Sequence, residues 1–220
     1  MVNENIKYSL RNLNKSKSRS ALTIFSIFVG ITTLFIFLSF GLGLYDYIGT
    51  LMSESTANKL LVQAKGTGAP GLDDTFKLTD VDLEAIKKVS GVDRATGSYI
   101  KPAEVKQDSK IKYVFITSYD PKEPLMLEFV DVDIAKGRML RASDTKKVML
   151  GYNFLLDNTI FPKGYKVGDK INVQGVDLRI IGFLDSVGNP QDDSNIYVTN
   201  DYLEELYPDA DSYGMIVIES

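Results

Sequence analysis

Apolar positions along this chain follow two different patterns. From Ser20 to Tyr45 they are nearly continuous: 26 residues carry no charge and are rich in Ile, Leu, Phe and Val. Beyond residue 59 they come in short alternating or helical-period bursts, punctuated by Gly, Pro, Asn and Asp. The continuous run reads as a transmembrane helix over 20–45. At about 1.5 Å per residue it reaches roughly 39 Å, beyond a hydrocarbon thickness of about 30 Å. A single crossing segment can satisfy its backbone in lipid only as a helix, so its Ile and Thr content carries no strand signal. The apolar region of a cleaved signal peptide runs to about 7–15 residues and ends in small residues. This run is longer and exits through GLGLYDYIG, with Tyr45 and Tyr47 at interfacial positions, so an uncleaved anchor is expected.

Flanking the span, Ile6, Leu10 and Leu13 recur at helical spacing with Lys7, Arg11 and Lys15 around them, predicting an amphipathic helix on the inner leaflet over 1–19. Residues 46–58 are polar and read as a stalk that can prolong the span. KLLVQAK (59–65) predicts a strand, and LTDVDLEAIKKVSGV predicts a helix. Thr79 is its N-cap with Asp82 at the capping-box position, Leu78 and Leu83 form a staple, and Leu83, Ile86 and Val89 supply the buried stripe. Gly91 closes it. GVDRATGSYI reads as a second strand, giving a β-α-β start over 59–100.

From 101 to 211 the texture is short strands and turns. KIKYVFITSYD alternates, and further strands are expected at 147–150, 170–173, 177–184 and 195–198, between turn signals such as FPKG, VGDK and GNPQDDS. Short helices are expected at 152–158 and after Thr199. SYGMIVIES, within 212–220, is strand-like. The fold class is α+β: one transmembrane helix, then a β-α-β framework holding a β-rich insertion.

Charge adds a direction. Residues 1–45 hold five Lys/Arg and one acid, a net of +4; the whole chain is −4, so residues 46–220 hold −8. Lys15, Lys17 and Arg19 stand immediately before the span and Asp46 follows it. By the positive-inside rule the N-terminus is cytoplasmic and residues 46–220 are extracytoplasmic, which places the chain in the plasma (inner) membrane. A basic head on an acidic body argues against a nucleic-acid surface.

Candidate chemistry is thin. With no His and no Cys, imidazole triads, thiolates and disulfides are excluded, and no catalytic, cofactor or metal site is assigned. GTGAPG (66–71) matches G-x-G-x-x-G literally, but no helix opens where a pyrophosphate would need one, so it reads as a flexible loop. Asp192 and Asp193, with Asp185 nearby, lack the spacing of a calcium loop and read as solvated surface. Asp131 and Asp133 are expected on one exposed strand face. Arg138 and Arg141 read as turn and ion-pair residues. Ser26/Gly30 and Ser39/Gly43 are small-xxx-small pairs that allow close helix packing.

The order of these parts resembles the N-terminal half of permeases of the MacB/FtsX-like ABC-transporter superfamily. RSALT entering the span, LTDVDLEAIKKVSGV, AKGRMLRASD followed by VMLGY, YKVGDKINVQGVDLRIIGFL and DDSNIYVTNDYLEEL resemble that family's ordered elements. The family-like structural positions are Gly137, Arg138, Asp144, Gly168 and Gly182; Asn200 stands where the family usually has Pro. The resemblance implies a non-catalytic permease subunit with an extracytoplasmic domain, built of a βαβ porter-like part (59–100, resuming at 212–220) and an inserted sabre-like part (101–211). It also implies a permease dimer partner and a cytoplasmic ABC ATPase, with ATP bound only in that ATPase and no cofactor in this chain. The family continues through the second porter half, of which 212–220 would be the start, into three more spans; those later spans do not lie within these residues, so a truncated, split or deliberately short chain is expected. An apolar sheet edge around Tyr213–Ile218 should then be uncovered, leaving the chain poorly stable or paired there with another chain. A single-span anchored binding or adaptor protein is the alternative.

Overall fold

A computed structural model describes residues 17–51, 58–63 and 77–220. The chain divides into two compact units, 1–53 and 54–220. In the first, helix α1 (Lys17–Leu51) runs 35 residues, about 52 Å at about 1.5 Å each. It covers the expected span and continues into the expected stalk. Apolar side chains such as Phe25, Leu34, Phe37 and Phe40 are exposed on it. Thr23, Ser26 and Thr33 donate their hydroxyls to the carbonyls four residues back, at 3.0, 2.9 and 2.8 Å, so these polar groups are satisfied within the helix. The amphipathic segment around Ile6 to Leu13, Lys15 and the GTGAPG loop lie outside the described residues.

The second unit contains strands β1 (Lys59–Val62), β2 (Arg94–Ser98), β3 (Ile100–Gln107), β4 (Lys110–Tyr119), β5 (Ile134–Gly137), β6 (Lys147–Leu150), β7 (Lys170–Val173), β8 (Val176–Leu184), β9 (Ile196–Thr199) and β10 (Met215–Glu219). Helices α2 (Asp80–Lys87), α3 (Leu125–Phe129) and α4 (Asn200–Leu206) and two short 3-10 turns complete it.

These strands form two sheets. Seven run in the order β5-β8-β6-β9-β4-β3-β7, and an additional β7–β8 pairing closes six of them into a ring, with β5 added on the far half of β8. Alternation along the strands fills the ring: Val105, Ile116, Val148, Leu150, Ile171, Val173, Leu178, Ile180, Phe183 and Ile196 are all buried in one cluster. The opposite alternates, Met149, Ile181, Leu184 and Tyr197, face outward into a second cluster with α3 and with Met215 and Val217.

The other sheet is β1-β10-β2, antiparallel throughout. β1 and β2 therefore run parallel, as a β-α-β start requires, but the last strand lies between them. Period-two alternation in β10 feeds both faces: Met215 and Val217 toward the ring, Ile216 and Ile218 toward α2, Leu83, Leu78 and Ile86. The layers run α2, three-stranded sheet, shared apolar layer, ring. Charges tie the sheet laterally: Arg94 of β2 bonds Glu219 of β10 and Glu128 of α3 (3.1 Å), and Lys59 of β1 lies 3.6 Å from Glu128 and 3.8 Å from Glu219.

Several expectations need correction. The SYGMIVIES strand is paired on both sides, with Ile216 and Val217 fully buried, so it is not an uncovered edge. The sheet ends instead at β1 and β2, and Leu60 and Leu61 of β1 are exposed. Val89 lies beyond the end of α2 and is exposed, because the helix ends at Lys87, before its apolar stripe does. Asp131 sits in a turn with φ 48°, and β5 begins only at Ile134, so Asp131 and Asp133 share no strand face. The capping residue is as expected: the Asp82 carboxylate accepts from the Thr79 N–H and hydroxyl, each at 2.8 Å.

Candidate functional site

The family-like residues converge on one corner of the ring, where β5 leaves β8. Gly137 and Gly182 face each other across that strand pair. A Cβ on Gly137 would stand 2.2 Å from the Ile181 carbonyl oxygen, and one on Gly182 would stand 2.4 Å from the Arg138 carbonyl oxygen. Only glycine at both positions lets the backbones approach this closely; Gly137 also has φ 84°, open to glycine without penalty. The close approach brings the Arg138 N–H to the Ile181 carbonyl (3.1 Å) and aims the Arg138 side chain at the next turn.

That turn presents Asp144, which is 3% exposed. Its oxygens accept four charged or backbone donors: Arg138 Nη1 (2.7 Å) and Nη2 (3.1 Å), the Arg141 N–H (2.9 Å) and Lys147 Nζ (2.6 Å). The Arg138 guanidinium is the main reason the carboxyl is held far below the usual carboxylate range, with Lys147 and the Arg141 amide adding to it against the cost of burial. The fork is bidentate, a geometry that lysine at 138 could not reproduce. Behind it Leu140 is buried, and its N–H donates to the Tyr119 hydroxyl at 3.2 Å; burial raises that phenol to about 12.

A cleft of about 480 Å³ opens beside this corner, lined by Gly137, Arg138, Lys147, Gly168 and Arg179, with Val167, Ile180 and Ile181 as apolar wall. Gly168 (φ 96°) donates its N–H to the Ile180 carbonyl at 2.8 Å, holding the β7 approach against β8. Chemically the corner is a lock: its one buried carboxylate is saturated by Arg138, Lys147 and the Arg141 N–H. Arg141 contributes its backbone N–H to this lock. Arg179, the most open cation of the cleft, was not singled out by sequence, since its place depends on strand register.

The remaining candidates fall elsewhere. Asp193 is buried and accepts from Ser186 Oγ (2.7 Å) and the Val187 N–H (2.9 Å); Asp192 accepts from Asn189 (2.7 Å), and Asp185 from the Ser186 N–H (2.8 Å). These carboxylates shape their own loop. Among the described residues no group of three or more acidic side chains is placed to hold a metal ion. Asn200, the departure from the family pattern, bridges three elements: its Oδ1 accepts from Ser118 Oγ of β4 at 2.6 Å and its Nδ2 donates to the Gly97 carbonyl of β2 at 3.0 Å. On α1, Lys17 and Arg19 open the helix, while Ser26, Gly30, Ser39 and Gly43 are exposed along it.

A helix long and apolar enough to cross a membrane thus precedes a layered α+β domain. The chain belongs to the family of MacB-like periplasmic core domains, whose profile matches residues 20–219. It is 29% identical over 222 residues to an uncharacterized ABC transporter permease of Methanocaldococcus jannaschii, matching 99% of this chain and 54% of that protein. The chain thus spans about half the length of that curated relative. Its fold is similar to the extracellular domain of the ABC-type transporter YknZ from Gram-positive bacteria (TM-score 0.54, 16% identity, 74% of this chain and 83% of that one). It is also similar to the periplasmic region of MacB from Actinobacillus actinomycetemcomitans (TM-score 0.58, 13% identity, 77% and 79%).

Proposed function

We propose that the chain is a non-catalytic permease subunit, or the N-terminal portion of one, that couples ATP hydrolysis by a cytoplasmic ABC ATPase to movement of its extracytoplasmic domain. The observation that carries this reading is the family match over 20–219, beginning at the entry to the apolar helix. Lys15, Lys17 and Arg19 hold the N-terminus on the cytoplasmic side of the plasma membrane, and residues 46–220 lie outside. Ser26, Gly30, Ser39 and Gly43 offer small-residue faces to the other spans of the assembly. A Cβ on Gly30 or Gly43 would meet nothing within 4 Å, which leaves those faces free for packing. ATP binds in the partner, and this chain carries no cofactor.

Within the extracytoplasmic domain, residues 59–100 and 212–220 form the porter-like part and 101–211 the sabre-like part. The segregation of strands supports this division, since β1, β2 and β10 make one sheet while β3 to β9 make the other. The Gly137–Arg138–Asp144–Gly182 corner, with Gly168 beside it, keeps the sabre-like part rigid, as a domain that transmits movement must be.

Orientation is directly testable because the chain has no native cysteine. A membrane-impermeant maleimide should label Lys163→Cys in intact cells and Ser18→Cys only after permeabilisation; the reverse pattern overturns the topology. Tagged chain expressed with a neighbouring Walker-type ATPase should retain that ATPase on purification. Failure to do so in membranes where the chain is correctly oriented favours a single-span adaptor instead.

A further inference from the structure

The cleft beside the corner carries a charge arrangement that the lock does not explain. In the sheet register Arg179 of β8 lies opposite Lys147 of β6 on one side and opposite Lys170 of β7 on the other. Three cations therefore share one rung across β6-β8-β7. Like charges placed directly opposite each other oppose pairing, and sheets normally avoid them. Asp144 compensates Lys147 and Arg138. Neither Arg179 nor Lys170 has an ion-pair partner among the described residues, and both are exposed. This concentration sits in a body whose residues 46–220 carry a net −8, so it runs against the average charge of its surroundings.

The same cleft has an apolar wall. Val167 is 46% exposed there, while Ile180 and Ile181, which also line the cleft, are buried. Positive charge alone would suit any small anion. Positive charge at the rim of an apolar cleft of about 480 Å³ suits a molecule with an anionic head and a hydrocarbon portion. We infer that this cleft binds an anionic amphiphile, a phosphate-bearing headgroup with an acyl chain, with Arg179 and Lys147 meeting the phosphate from the cleft, Lys170 adding its charge from the same rung outside the lining, and Val167 meeting the chain. The helix α1 ties the domain to a bilayer that supplies such molecules. Arg138 stays engaged with Asp144. The inference is independent of the ATPase coupling, so the two can fail separately.

The test uses the full chain in a neutral non-ionic detergent, with lysophosphatidic acid as probe and bound molecules counted by native mass spectrometry. Lysophosphatidylcholine and inorganic phosphate are titrated in parallel. One saturable lysophosphatidic acid site is expected, weakened at least tenfold by the double variant Arg179→Gln/Lys170→Gln and retained by Arg179→Lys. Without ligand, the double variant should melt no lower than the parent, because removing the rung relieves repulsion. Added lysophosphatidic acid should raise the melting temperature of the parent but not of that variant. Equal binding of lysophosphatidylcholine overturns the proposal, as does binding that survives Arg179→Gln/Lys170→Gln but is lost in Lys17→Gln/Arg19→Gln, which would place the lipid on α1. Phosphate alone matching lysophosphatidic acid assigns the site to a free anion and overturns the amphiphile. No saturable binding of any probe overturns the site altogether.

Discussion

The two sheets of the globular unit reach stability by different routes. The ring is assembled within β3 to β9, a continuous stretch of chain, and the β7–β8 pairing closes six of these strands, leaving only the short β5 as an edge. The three-stranded sheet draws β1 and β2 from the beginning of the unit and its central strand, β10, from the end, with the whole ring inserted between them. One sheet is closed and locally encoded. The other exists only because the folded ring returns Met215 beside Ser98, so its loop-closure cost is lowered by structure formed elsewhere. The ring should therefore be the more autonomous of the two.

The most severe way to break this comparison is to open the ring core. Phe183 is fully buried there, and Phe183→Ala should cost about 3–5 kcal/mol, measured by denaturant unfolding. Both sheets should lose protection together, since the smaller depends on the larger. The converse substitution, Ile216→Ala in β10, should cost about 2–4 kcal/mol. In hydrogen exchange it should release β1 and β2 while β4 and β9 stay protected. Simultaneous release of β4 would show that the ring is not autonomous.

Asp144→Asn should cost about 2–3 kcal/mol, less than a wholly buried pair because Arg138 and Lys147 keep contact with water. Its pH signature is specific. A carboxyl held well below its ordinary 3.8 stabilises the fold fully above that value and loses the contribution as pH falls beneath it. Melting temperature followed from pH 5 downward should fall more steeply in the parent than in the variant; parallel curves would remove Asp144 from the acid response.

Asn200→Ala tests the bridge between β2, β4 and α4. Loss of two hydrogen bonds predicts about 1–2 kcal/mol. Asn200→Pro is compatible with the first position of a helix, so it should cost about as much, through the same lost bonds. The smallest effect belongs to Val89→Ser, within about 0.5 kcal/mol, because the side chain is already exposed. A larger loss would mean that Val89 is covered in the working molecule.

Local pattern was enough to read α1, the Thr79 cap, and strands such as 147–150 and 170–173, whose ends agree with the structure. The glycine, arginine and aspartate of the corner were readable as a motif, although not their purpose. Strand β3 and helix α3 escaped because Pro102 and the short LMLEF segment dilute the periodicity. Arg179 escaped for a different reason: a charged residue on the solvent face of a strand looks ordinary until its neighbours across the sheet are known.

The amino-acid order alone therefore determined the apolar helix, its cationic flank, the caps and most strand spans, because each depends on residues a few positions apart. Tertiary structure alone decided that the final strand is central rather than at an edge, that the insertion closes on itself, and that three cations share a rung. Those outcomes depend on register and pairing between segments tens of residues apart, and they are settled only when the core excludes the alternative pairings.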